Sequence, residues 1–200
     1  MSVLVTRQAP DFTAAAVLAD GSIVENFTLS SLRGKYVVLF FYPLDFTFVC
    51  PSEIIAHDHR VAKFKELGVE VVGVSIDSQF THFAWRETPV EKGGIGRVGF
   101  TLVADVKHEI SQAFGIEHPA AGVALRASFL IDKDGVVQSQ IVNNLPLGRN
   151  VDEMVRLVEA LQFTEEHGEV CPAGWNKGDK GMKPTTEGVA AYLAENSTAL

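Results

Sequence analysis

Residues 35–42, KYVVLFFY, form an unbroken apolar run, the pattern of a strand covered on both faces. From Ser52 the period turns helical: Ile54, Val61, Phe64 and Leu67 share one stripe, and Gly68 supplies a stop. A second buried strand follows at 69–76, VEVVGVSI, then a helix at 78–87, a short strand at 100–105 and a short helix at 107–115. Residues 127–142 read as two strands joined by an Asp-Gly turn at 132–135. Ahead of all this, extended pieces flank a turn at residues 19–22, ADGS. The clearest helix spans 150–162: Val151, Met154, Val155, Val158 and Leu161 fall on one face, and Asn150 with Glu153 resembles a capping box.

The resulting order, β-α-β-α-β-α-β-β-α, is that of an α/β protein. Alternating strands and helices imply parallel pairs and the closing hairpin adds antiparallel ones, giving a central mixed sheet flanked by helices. After Phe163 the chain becomes polar, aperiodic and punctuated by Gly and Pro, which predicts a main domain over 1–163 and a C-terminal arm over 164–200. Within the arm, 189–196 can form a short helix that must dock to be stable.

Composition narrows the function. The 200 residues are 46% hydrophobic and 21% charged, ordinary for a globular chain, with a formal net charge of −8. That acidic balance argues against nucleic acid and against anionic membrane surfaces. The longest apolar run is too short to span a bilayer and the N-terminus lacks a secretory pattern, so a cytoplasmic location is expected. In a reducing compartment two cysteines, Cys50 and Cys171, read as reactive or buried thiols rather than a permanent crosslink.

Cys50 ends the stretch FFYPLDFTFVC and directly precedes Pro51. Proline is favoured in the first helical turn and drives the residue before it toward extended backbone, the geometry of an N-cap. Cys50 is therefore expected to cap the helix that follows, with Glu53 at its third position. A thiol there feels the positive helix end and free backbone N–H groups, and both favour the thiolate. Position alone leaves two readings open, an activated nucleophile or a small buried hydrophobe. The C-x-x-C of dithiol exchange is absent, since Glu53 stands where its second cysteine would be. A lone thiolate suits attack on an electrophile such as a peroxide O–O bond.

Pro43, Thr47 and Cys50 together resemble the P-x-x-x-T-x-x-C signature of the peroxiredoxins, and EVCPAGW around Cys171 resembles the resolving-cysteine segment of their typical two-cysteine class. THFAW (81–85), GGIG (93–96), LRASFLID (125–132) and LPLGR (145–149) follow in register, so the resemblance covers essentially the whole chain. It implies a thioredoxin-like fold and a peroxidase that needs neither cofactor nor metal. Cys50 would be the peroxidatic cysteine and Cys171 the resolving one. Thr47 would hydrogen-bond a peroxide oxygen, Pro43 would shield the thiolate, and Arg126 would place a cation beside Cys50. Glu53 would orient an arginine, Arg149 joins that network, and Trp85 lies near the site or a dimer contact. The resemblance further implies hydrogen peroxide or organic hydroperoxides as substrates and a homodimer or ring of dimers joined by Cys50–Cys171 disulfides. Thioredoxin or a flavin disulfide reductase would be the reductant. A holdase chaperone and a peroxide sensor that relays oxidation to a partner are the competing functions.

Three features point elsewhere. Residues 94–99 satisfy G-x-G-x-x-G but lead into a strand, not a helix, which excludes a dinucleotide loop. GGIG resembles a loop associated with over-oxidation, yet its usual C-terminal Tyr-Phe partner is here Tyr192 followed by Leu193. His57 and His59 flank Asp58 two positions apart, a spacing that does not face one ligand, so they read as solvated helix surface. Trp85 and Trp175 read as packing residues.

Overall fold

The computed structural model describes residues 3–198. Two compact units divide between Val151 and Asp152. The first is built on a seven-stranded mixed sheet in the order β2-β1-β5-β4-β3-β6-β7. Its strands are β1 (Thr13–Val17), β2 (Ile23–Thr28), β3 (Tyr36–Phe41), β4 (Val69–Ser75), β5 (Thr101–Ala104), β6 (Arg126–Ile131) and β7 (Val137–Asn143). β3, β4 and β5 run parallel, while β1–β2, β1–β5, β3–β6 and β6–β7 pair antiparallel. Parallel neighbours need crossovers: α1 (Cys50–Asp58) and α2 (Val61–Glu66) connect β3 to β4, and α3 (Gln79–Glu87) connects β4 to β5. A short α4 (Glu109–Ala113) follows β5.

The predicted strands and hairpins form, but the stripe from Ile54 to Leu67 is two helices rather than one. At Arg60 the backbone tightens, its N–H bonding the His57 carbonyl at 3.0 Å, before α2 begins. Asp58, the last residue of α1, accepts from the Gly99 N–H through its Oδ1 at 2.7 Å.

Alternation in the central strands decides what the helices meet. Val37, Leu39, Phe41, Ala127, Phe129 and Ile131 enter one core, where Phe41, Phe114 and Phe129 pack as a triad. Period-2 geometry sends the intervening residues to the opposite face. There Phe40 stacks on His57 of α1, and Arg126 reaches Cys50 and Glu53 of the same helix. Gly73 makes this packing possible, because a Cβ there would lie 2.9 Å from both Phe40 Cζ and Leu102 Cδ2. Gly73→Ala is expected to lower stability by about 1–3 kcal/mol through overpacking, read as a lower urea midpoint with an unchanged slope.

The second unit contains α5 (Val151–His167), which begins at the divide, and α6 (Thr186–Asn196). α5 continues five residues beyond the predicted end at 162. The polar composition after Phe163 is compatible with helix. His167 stacks on Phe163 one turn away, and Gly168, at φ 66°, ends the run. α6 is longer than the predicted 189–196 and is capped by the Thr185 hydroxyl, which accepts from the Gly188 N–H at 3.0 Å. Among the described residues no helix is long and apolar enough to cross a membrane.

Candidate active site

Cys50 opens α1 and is fully buried. It is the first helical residue rather than the expected N-cap. The Val49 carbonyl accepts from the N–H groups of Ser52 and Glu53, and the Ser52 hydroxyl donates to the same oxygen at 2.6 Å, so the helix starts one residue earlier. Tethering of Glu53 from the sheet side fixes this first turn against the pre-proline preference for extended backbone. The thiol keeps its place at the positive end of α1.

Arg126, the first residue of β6, points its Nη1 at Cys50 Sγ at 3.4 Å. The same nitrogen donates to Glu53 Oε2 at 2.7 Å, and Arg126 Nε donates to the Leu145 carbonyl at 2.6 Å. Arg149 holds Glu53 from the other side, donating from its backbone N–H (2.9 Å) and Nε (2.8 Å) to Oε1, and from Nη2 to Oε2 (3.0 Å). Its Nη1 is anchored on the Ala127 carbonyl. Burial alone would raise the Glu53 carboxyl, but Arg149 and then Arg126 outweigh it and hold Glu53 below the usual range. Burial also works against the Arg126 cation, and the contacts to Cys50 and Glu53 reverse that and raise it.

Two guanidiniums and one carboxylate leave this buried cluster with one net positive charge. Uncompensated buried charge is costly, by several kcal/mol. The cluster becomes neutral when Cys50 is the thiolate that Arg126 faces.

The loop before Cys50 is fixed by a second buried network. Asp45 accepts from Tyr42 Oη at 2.9 Å, its other oxygen lies 2.8 Å from His82 Nδ1, and its N–H donates to Asp77. Pro43 is buried at the end of β3. The Thr47 hydroxyl donates to the Leu44 carbonyl at 2.8 Å, which leaves its lone pairs to accept a hydrogen bond. Phe46 adopts left-handed backbone at φ 53° and packs on fully buried Trp85, ring centroids 5.7 Å apart. Such a conformation costs a non-glycine residue of order 1 kcal/mol or more and needs a rigid surround. Trp85 in turn donates its Nε1–H to the Gly93 carbonyl at 2.9 Å.

A model of the AhpC/TSA family matches residues 5–140, and a model of the C-terminal domain of 1-Cys peroxiredoxin matches residues 160–195. The chain belongs to the AhpC/TSA family of peroxiredoxins. It is 59% identical over 199 residues to alkyl hydroperoxide reductase C of Helicobacter pylori strain J99, covering 99% of this chain and 100% of that one. It is 53% identical over 191 residues to mouse peroxiredoxin-2, covering 96% of each. A solved structure of reduced Plasmodium vivax 2-Cys peroxiredoxin superposes with a TM-score of 0.93 at 50% identity, covering 96% of this chain and all of that one. The chain is thus a thiol peroxidase with the thioredoxin fold of its relatives.

In this peroxiredoxin the structure joins four of the motif residues, Cys50, Glu53, Arg126 and Arg149, in one cluster, while Pro43 and Thr47 lie in the segment leading to Cys50, all in the first unit. Cys171 lies in the second unit, half-buried, its Sγ donating to the Ala160 carbonyl at 3.5 Å and lying 3.7 Å from Thr164 Oγ1. Sequence reasoning missed Asp45 and His82, whose signal was a carboxylate and an imidazole set among apolar neighbours. His57 corrects the reading of a solvated helix face: it is completely buried, and its Nδ1 lies 2.7 Å from the Glu53 carbonyl. His59 is exposed as expected.

Proposed function

We propose that peroxide reduction runs through Cys50 and is completed by Cys171 of a second copy. The observation that carries this reading is the Arg126 guanidinium aimed at Cys50 within a cluster that is one negative charge short of neutrality. The Cys50 thiolate attacks the terminal oxygen of hydrogen peroxide or an organic hydroperoxide. The S–O bond forms as the O–O bond breaks, sulfur is oxidised to the sulfenic acid, and hydroxide or alkoxide leaves and takes up a proton. Arg126 stabilises thiolate and developing oxyanion, Thr47 accepts from the peroxide O–H, and Pro43 keeps water out. Glu53 and Arg149 position Arg126, and Trp85 supports the loop.

Cys171 thiol then displaces the sulfenic hydroxyl as water and forms the disulfide. A fully buried Cys50 in helical backbone cannot meet another thiol at disulfide distance without motion, so the first turns of α1 unwind for this step. Residues 164–200 act as the arm that carries the resolving thiol. Two reciprocal disulfides join a symmetric homodimer, which can assemble further into a ring. A dithiol reductant, thioredoxin or a flavin disulfide reductase, returns two electrons in a reducing cytoplasmic setting.

One equivalent of hydrogen peroxide followed by a non-reducing gel tests the cycle. Wild type is expected to run as a disulfide-linked dimer. Cys50→Ser neither links nor consumes peroxide, and Cys171→Ser consumes one equivalent without linking. An oxidised monomer would move the disulfide within one chain. Peroxide left intact by wild type, with client aggregation suppressed, would favour a holdase.

A further inference from the structure

His57 is the one buried side chain among the described residues with a polar atom, Nε2, that has no hydrogen-bond partner. It lies one turn beyond Glu53, on the face of α1 turned to the sheet. Its Nδ1–H donates back to the Glu53 carbonyl at 2.7 Å. Its ring stacks on Phe40 with centroids 3.9 Å apart and planes 8° apart, and meets the edge of Phe100 at 6.5 Å. No peroxidase step described above uses it.

We propose that His57 is a proton-operated latch on α1: neutral, it holds the Cys50 helix closed against Phe40, and its protonation favours the unwound form that delivers Cys50 to its resolving thiol. This rests on the reading that α1 opens during turnover. The closed pocket offers the second proton nowhere to go. Nε2 is sealed among rings, and the charged groups facing the imidazole are unfavourable in sum. Arg149, from the segment after β7, and Arg60, between α1 and α2, oppose an added positive charge, and only Glu53, already held by two arginines, favours it. Phe40 of β3 and Phe100 beside β5 bring no charge. Burial first, then Arg149, depress His57 from near 6.5 to about 3. In unwound α1 the ring is solvated and returns to its ordinary value.

The sign follows from linkage. The group is depressed in the closed form, so the closed form is fully favoured above about pH 6.5 and loses its advantage as the pH falls toward 3. Between pH 7.5 and 5.5 the open-to-closed ratio of α1 should rise about tenfold. Glu53 stays ionised across that window, since its shift is downward.

Hydrogen-exchange mass spectrometry on the reduced full-length protein at both pH values reads this opening, after correction for intrinsic exchange. The expected result is about a tenfold rise in opening for amides of α1, little change in β4, and no rise in α1 of His57→Phe. The comparison of the two proteins removes contributions from every other titrating group. If Phe disturbs packing, His57→Gln keeps an uncharged polar ring-sized group and is read in the same way. A flat α1 profile in wild type, an equal rise in both variants, or an equal rise in β4 overturns the latch. Peroxide consumption by the same samples is a separate readout. If it persists while the α1 rise is missing, only the latch fails; if it is absent while the rise is present, the peroxidase cycle fails.

Discussion

Replacing Arg126 with methionine should slow the oxidation of Cys50 by hydrogen peroxide by roughly 10²–10³-fold, the loss typical of removing one donor aimed at a developing oxyanion. Methionine keeps much of the buried volume and removes the guanidinium donor to the thiol sulfur, the 3.4 Å contact from Nη1. It also strips charge from the cluster, so that Glu53 and Arg149 neutralise each other and nothing asks for a thiolate. Arg126→Lys should recover only part of the rate. A single ammonium cannot serve Cys50, Glu53 and the Leu145 carbonyl together, as the planar fork does. The measurement is a single-turnover rate on reduced protein, with far-ultraviolet circular dichroism to confirm the fold. An unchanged rate in the methionine variant would remove Arg126 from the chemistry.

Glu53→Ala should destabilise the first unit by about 3–5 kcal/mol, because it leaves two buried guanidiniums facing one another. Four hydrogen bonds converge on this carboxylate, from Arg126 and Arg149, and its side chain is only 2% exposed. The effect appears as a lower urea midpoint at fixed protein concentration. It also has a pH signature. Glu53 is held below the ordinary carboxylate range, so its contribution is present above that range and is lost as acid protonates it below. Wild type and variant should therefore converge in stability toward acid pH. A gap that stays constant down to acid pH would assign the loss to packing rather than charge.

Much of this arrangement was legible in the chain itself. The unbroken run before Pro43 gave β3, the cysteine before Pro51 gave a helix start, and the P-x-x-x-T-x-x-C pattern gave the chemistry. The long-range pairings were not legible from local pattern. Arg126 lies 76 positions from Cys50, and Arg149 lies 96 from Glu53; the family resemblance, not periodicity, named them. His57 was misread for a local reason. Its neighbours Asp58 and His59 look solvated, yet Ile54, His57, Val61 and Phe64 are spaced three, four and three apart, and His57 fills the gap in that apolar stripe. The end of α5 was missed because a polar composition was taken as a stop, when the stop is the left-handed backbone of Gly168. Tertiary tethering of Glu53, which no local rule carries, moved Cys50 from N-cap to first helical residue.

The central claim is that Cys50 receives the peroxide oxygen. Reduced Cys171→Ser, given one equivalent of hydrogen peroxide with dimedone present, tests it by mass spectrometry of tryptic peptides. The account predicts near-stoichiometric dimedone adduct on Cys50 and full consumption of the peroxide. An unmodified Cys50, with the peroxide still in solution, would contradict it.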